Sequence, residues 1–147
     1  NQSLHTEAVA DRDTFGVALR RAREVLRPGS LVFILCDERT LSDSAEQQLA
    51  LLSRHCDLLL LPLSDPLDHA LPASGLLRFA DRGAQLELDT LNSDLRQTYR
   101  AQGEARQARW ELLAQKLRVL MIPLSTQQEM VEQLRDYLNA NQPVKHK

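Results

Sequence analysis

The stretch Ser30-Leu-Val-Phe-Ile-Leu-Cys-Asp-Glu-Arg-Thr-Leu-Ser-Asp43 decides the fold. Six apolar residues, 31–36, run without alternation into the acidic pair Asp37-Glu38 and a polar turn. An unbroken apolar run of strand length suits a strand buried on both faces, as in a parallel sheet covered by helices. A carboxylate at the end of such a strand stands where open α/β sheets gather their ligands.

Working outward, the flanking segments read as helices. Upstream, residues 11–26 place Phe15, Leu19, Ala22, Val25 and Leu26 at helical spacing behind Asp11, Asp13 and Thr14, and Pro28-Gly29 stops the helix. Downstream, residues 42–54 turn Ala45, Leu49 and Leu52 inward, with Asp43 and Glu46 spaced as a capping box. Residues 57–63 are a second apolar strand, followed by the loop 64–69. Residues 76–79 and 85–88 alternate around Asp81-Arg-Gly83 and predict a β-hairpin. Residues 93–117 predict a long polar helix, with a thin stripe of Leu95, Tyr99, Leu113 and Leu117 and an interruption at Gly103. A third strand is expected over 118–124. Ser125-Thr-Gln-Gln128 then forms a capping box for a last helix that buries Met130, Val131, Leu134 and Leu138.

Strands alternating with helices predict a three-layer, Rossmann-like α/β fold with a parallel sheet, helices on both faces and an inserted β-hairpin. We expect residues 1–10 to be a flexible N-terminal segment, 11–140 a single α/β domain and 141–147 a flexible tail. The length of 147 residues suits one domain with a real core. With 43% hydrophobic and 26% charged residues, the composition excludes disordered and collagen-like classes. A net charge of −2 supplies no electrostatic footprint for nucleic acid. Two cysteines without a CxxC pairing read as reduced thiols, and hence as a cytoplasmic protein. No segment reaches the roughly 18 apolar residues of a membrane span.

Three oxygen-rich loops leave the strand ends: Asp37-Glu38, the group Asp65, Asp68 and His69, and Ser125-Thr126. Such oxygens suit Mg²⁺, and the same residue types also serve as turns and helix caps. Asp37 is the candidate metal ligand. Asp37-Glu-Arg-Thr40 departs from the loop of aspartyl-phosphate phosphatases, because Arg39 replaces the second carboxylate. Cys36 needs a neighbouring base to act as a nucleophile; His55 and His69 are the interior histidines, and a small apolar filler is the favoured reading. Nucleotide, zinc-protease and hydrolase signatures are absent. Arg96, Arg100, Arg106 and Arg109 share the long helix with Glu104 and Glu111 and read as a solvated face, while Trp110 is left open between core anchor and interaction residue.

Arg27-Pro-Gly-Ser-Leu-Val-Phe-Ile-Leu-Cys-Asp37, Arg54-His-Cys-Asp-Leu-Leu-Leu60 and Asp65-Pro-Leu-Asp-His-Ala-Leu-Pro72, followed by Asp94-Leu-Arg-Gln-Thr-Tyr99 and Ile122-Pro-Leu-Ser-Thr126, form a distinctive succession. Over residues 15–138 it resembles the C-terminal half of a bacterial family related to von Willebrand factor type A domains, the domain of unknown function numbered fifty-eight. The resemblance implies a doubly wound sheet with a metal-ion-dependent adhesion site, whose last ligand falls on Asp37. No Asp-x-Ser-x-Ser segment precedes Asp37, so the resemblance implies a partial site and an incomplete domain.

The family's genes often neighbour those of MoxR-type AAA+ ATPases, which makes such an ATPase the implied protein partner. The expected function is therefore a non-enzymatic protein-interaction module, Mg-dependent in a longer parent, with no cofactor held in this stretch alone. The competing expectation is a Mg-dependent phosphoryl-transfer or hydrolytic enzyme using the strand-end carboxylates. Deprived of a neighbour, the strand over residues 31–36 is also expected to drive self-association.

Overall fold

The computed structural model describes residues 13–81 and 84–140; the expected flexible segments at both ends lie outside them. The elements run α1 (Thr14–Val25), β1 (Leu31–Asp37), a 3₁₀ turn (Glu38–Thr40), α2 (Asp43–Leu52), β2 (Asp57–Ser64) and the short α3 (Pro66–His69). They continue with β3 (Leu76–Asp81), β4 (Ala84–Asp89), α4 (Ser93–Leu117), β5 (Leu120–Met121), β6 (Leu124–Ser125) and α5 (Met130–Ala140). The result is a mixed α/β architecture around a parallel sheet, with no described helix long and apolar enough to cross a membrane.

The sheet is centred on β2. On one side it pairs in parallel with β1, from Leu31 opposite Asp57 to Asp37 opposite Leu63. On the other it pairs in parallel with β5 and then β6. The third strand expected over 118–124 is thus two short pieces. Arg118 ends α4 in the left-handed conformation (φ 55°), which delays the strand. The gap between β5 and β6 falls opposite Pro62. Leu60 accepts from Ile122 N–H, and Ser64 from Thr126 N–H, so the residues of β2 that face β5 and β6 are Leu60, Pro62 and Ser64. Pro62 has no N–H to give there. The expected hairpin forms as β3 and β4, antiparallel and separate from the main sheet.

The two sheet faces are covered unequally. Ile34, Leu58 and Leu60 join Leu19 of α1, Ala45, Leu49 and Leu52 of α2, and Trp110, Leu113 and Ala114 of α4 in the main core. On the opposite face Leu61, Ile122 and Leu124 form a smaller cluster against Leu134 and Tyr137 of α5. That helix lies over β2 and β6 and leaves β1 uncovered. The expectation of a strand buried on both faces therefore fails at β1, where Leu31, Phe33 and Leu35 are 62%, 63% and 55% exposed. The last helix is corrected too. It starts at Met130 and not behind a Ser125 capping box, and Met130, Val131 and Leu138 are exposed. Gln133 folds back onto Ser125 instead, donating to its carbonyl at 2.8 Å and accepting from its N–H at 2.8 Å.

Along α4 the expected interruption at Gly103 is absent, and the helix runs unbroken from Ser93 to Leu117. Gly103 is buried because α3 crosses there: a Cβ would lie 3.0 Å from His69 Cα and Nδ1 and 3.2 Å from the Asp68 carbonyl. Ala normally favours a helix over Gly by about 1 kcal/mol, whereas overpacking against backbone costs about 1–3 kcal/mol. We expect Gly103→Ala to lower stability in chemical denaturation; a gain would show that α3 moves aside freely.

Candidate functional site

The carboxyl ends of β1, β2 and β6 converge beneath α4, and the three oxygen-rich loops picked out from the sequence meet there. Asp37 ends β1 and caps the 3₁₀ turn through the Arg39 N–H at 2.8 Å. The Arg39 guanidinium closes on the same carboxylate, with Nε 3.0 Å from Oδ1 and Nη2 2.7 Å from Oδ2. Arg39 Nη1 also lies 3.4 Å from Asp68 Oδ1. Asp65 and Asp68 form a reciprocal capping box around α3, and Asp65 Oδ2 accepts from the Thr126 hydroxyl at 2.6 Å.

The residue that organises this end is Glu38, which the sequence offered only as the second member of the Asp37-Glu38 pair. Its side chain is only 6% exposed. Arg106 Nε–H donates to Oε1 at 3.3 Å, and His69 Nε2 lies 3.1 Å from Oε2. Its backbone carbonyl accepts the Trp110 indole N–H at 2.8 Å. Trp110, 1% exposed, is thereby settled as a core anchor. Arg106 leaves the solvated face assigned to it, and a further N–H of the same guanidinium donates to the Asp68 carbonyl. Arg109 is drawn to the start of α2, 2.5 Å from both Asp43 Oδ1 and Glu46 Oε1. The signal for Glu38 was faint: a second acid following a strand-end Asp reads as solvent-facing, and only the position of α4 makes it interior.

Glu38, Pro62, Ser64, His69, Ser125 and Gln133 border a cavity of about 120 Å³. Its polar groups are already engaged. His69 points Nε2 at Glu38, while Nδ1 lies beside Gly103 of α4. The Cys36 thiol is held in its protonated form. Burial pushes it up to about 11, a hydrogen bond with Thr40 opposes this, and the Asp37 charge adds to it.

Asp37 is held within the fold by Arg39. A guanidinium already neutralises its carboxylate, and no group of three or more His, Cys, Asp or Glu among the described residues is arranged to hold a metal. The hydrogen bond from Arg39 holds the Asp37 carboxyl below its ordinary value, against the opposing effect of burial. A depressed carboxyl contributes stability above its unfolded pKa of about 3.9, and that stability is lost as pH falls toward the native value.

Two outcomes follow from this geometry. Asp37→Asn will flatten the loss of stability below about pH 4 in acid titrations followed by circular dichroism; an unchanged acid limb would show that the Arg39 contact is not held in solution. Glu38→Ala, which strands Arg106 and His69, will cost roughly 3 kcal/mol by urea unfolding. Glu38→Ala combined with Arg106→Ala will cost less than the sum of the two by more than about 1 kcal/mol; additivity would deny the pairing.

The second surface of note is the bare side of β1. Leu31, Phe33 and Leu35 stand beside one another on the face where α5 covers only the neighbouring strands. Together they form a continuous apolar strip on that face. No curated protein and no solved structure matches the chain significantly. A family model does match, over residues 4–109, and its description is Protein of unknown function DUF58. The match spans most of the chain and includes α1, β1, β2, the hairpin and the Glu38, His69 and Arg106 cluster, so this protein belongs to the DUF58 family.

Proposed function

We propose that the chain is a protein-interaction module, type A-like in its fold, that docks through the bare face and open edge of β1. The observation that carries this reading is the exposure of Leu31, Phe33 and Leu35 on a strand with no second neighbour among the described residues. Edge strands are ordinarily guarded by charge, proline or a bulge. Between residues 30 and 36 there is no charged residue and no proline, and the pairing with β2 runs without a bulge. Such an edge accepts an added strand, whose backbone supplies affinity and whose side chains supply specificity.

The reading is non-enzymatic. Supporting it, the carboxylates of Asp37, Glu38, Asp65 and Asp68 each hold a structural partner within the fold. A MoxR-type AAA+ ATPase is the partner that the family resemblance implies. We expect Phe33→Glu to weaken binding to such an ATPase at least tenfold, equivalent to about 1.4 kcal/mol, in a surface-plasmon assay. Leu112→Glu, on an equally exposed leucine of α4 (65%), should leave binding unchanged. Equal losses from both variants, or no binding by the unaltered chain, would sink the reading.

A further inference from the structure

The end of the sheet away from Asp37 is built from three turns. α1, α2 and α4 each pass into a strand within two to five residues, through 26–30 into β1, 53–56 into β2 and 118–119 into β5. Because β1, β2 and β5 are parallel neighbours in that order, the three turns stand side by side. Two of them are fastened together. Gly29 N–H donates to the His55 carbonyl at 2.6 Å, Asp57 N–H to the Ser30 carbonyl at 2.9 Å, and the Cys56 thiol to the Arg27 carbonyl at 3.6 Å. Each turn joins two described elements, so its place does not depend on what adjoins β1.

These turns and the helix ends that feed them are basic. Arg27, Arg54, Lys116 and Arg118 are exposed, and Arg23 is partly so. Residues 23–30, 53–57 and 115–119 hold these five cations against two acids, Glu24 and Asp57, a net of +3 in a chain whose total is −2. None of the five pairs with a carboxylate among the described residues, whereas Arg39, Arg78, Arg100, Arg106 and Arg109 each do. The six steps from Leu31 to Asp37, at about 3.3 Å each, put the acidic end roughly 20 Å away. That is more than twice the Debye length of about 8 Å at physiological salt, so those acids do not cancel the cations.

Local stability explains only part of this. A cation in the last turn of a helix complements its dipole, which accounts for Arg23 and Lys116. Arg27 and Arg54 stand beyond the last turns. Arg118 adopts the left-handed conformation (φ 55°), on which helices usually end with glycine. The turn before β1 gives that conformation to Gly29; the turn before β5 gives it to an arginine, the only non-glycine with positive φ among the described residues. We infer that this end of the sheet is a docking surface for an anionic lipid bilayer, with the guanidiniums seated among headgroup phosphates. Arginine grips phosphate through two parallel N–H donors. Cations borne on three separate turns match a plane of phosphates, which needs no register between them, better than the single line of an acidic peptide. The surface is distinct from the bare face of β1, and neither reading rests on the other.

The test is co-sedimentation with lipid vesicles. The unaltered chain should bind vesicles of equal parts phosphatidylcholine and phosphatidylglycerol, and not vesicles of phosphatidylcholine alone. Raising the salt from about 0.1 M to about 1 M, which shortens the Debye length from about 10 Å to about 3 Å, should release it. Arg27→Glu combined with Arg54→Glu should weaken binding at least about tenfold. Arg100→Glu, on the exposed middle of α4, should leave it unchanged. Arg118→Gly relaxes the left-handed turn; it should raise the melting temperature and still weaken binding about fivefold, so the loss cannot come from unfolding. No binding to the mixed vesicles, equal binding to phosphatidylcholine alone, indifference to Arg27 and Arg54, or an equal loss in Arg100→Glu overturns the inference. Soluble poly-glutamate that binds through Arg27 and Arg54 as tightly as the vesicles do also overturns it, and assigns the surface to an acidic protein.

Discussion

The buried carboxylate of Glu38 is the constraint on which the upper end of the fold depends. It sits almost out of water, answered by Arg106 and His69, and its own carbonyl receives Trp110. Two of these partners come from α4, a polar helix whose buried residues are few: Gly103, Trp110, Leu113 and Ala114. Apolar area alone fixes such a helix weakly. The ion pair and the indole hydrogen bond set its rotation and its height above the sheet. Breaking either partner leaves a charge or a carbonyl stranded in a poor environment, which is more costly than the net value of the pair.

From that placement the α3 loop follows. Gly103 lets the Asp68 and His69 backbone touch α4, Tyr99 donates to the Leu67 carbonyl at 2.7 Å, and Arg106 reaches Asp68. The oxygen-rich loops are thus consumed in holding one another. Asp37 is neutralised by Arg39, Asp65 caps α3 and accepts from Thr126, and Asp68 closes the capping box. Residue types that suggest a cation site serve here as turn and cap chemistry, and Arg39 pairs with the Asp37 carboxylate.

The other end of the argument is an imbalance. One face of the sheet receives three helices, and the opposite face receives α5, which reaches only β2 and β6. A parallel sheet is usually covered on both faces, whereas Leu31, Phe33 and Leu35 of β1 stand in water among the described residues. The two halves of the molecule therefore differ in kind. The strand-end cluster is internally satisfied, and the unsatisfied chemistry lies on β1.

The sequence alone determined the alternation of strands and helices, the hairpin, the Pro28-Gly29 stop (Gly29 adopts φ 83°) and the apolar run that becomes β1. These are legible because hydrophobic period and turn chemistry act over a few neighbouring residues. Which face of β1 stays bare was not legible, since a six-residue apolar run reads alike whether one side or two are covered. Nor was the break between β5 and β6, which depends on Pro62 lying opposite it in another strand. The role of Glu38 was hidden for the same reason: His69 and Arg106 lie 31 and 68 positions away, and only packing brings them to it. Tertiary structure decided these points because burial and charge pairing are properties of neighbours in space, and a local pattern carries no record of them.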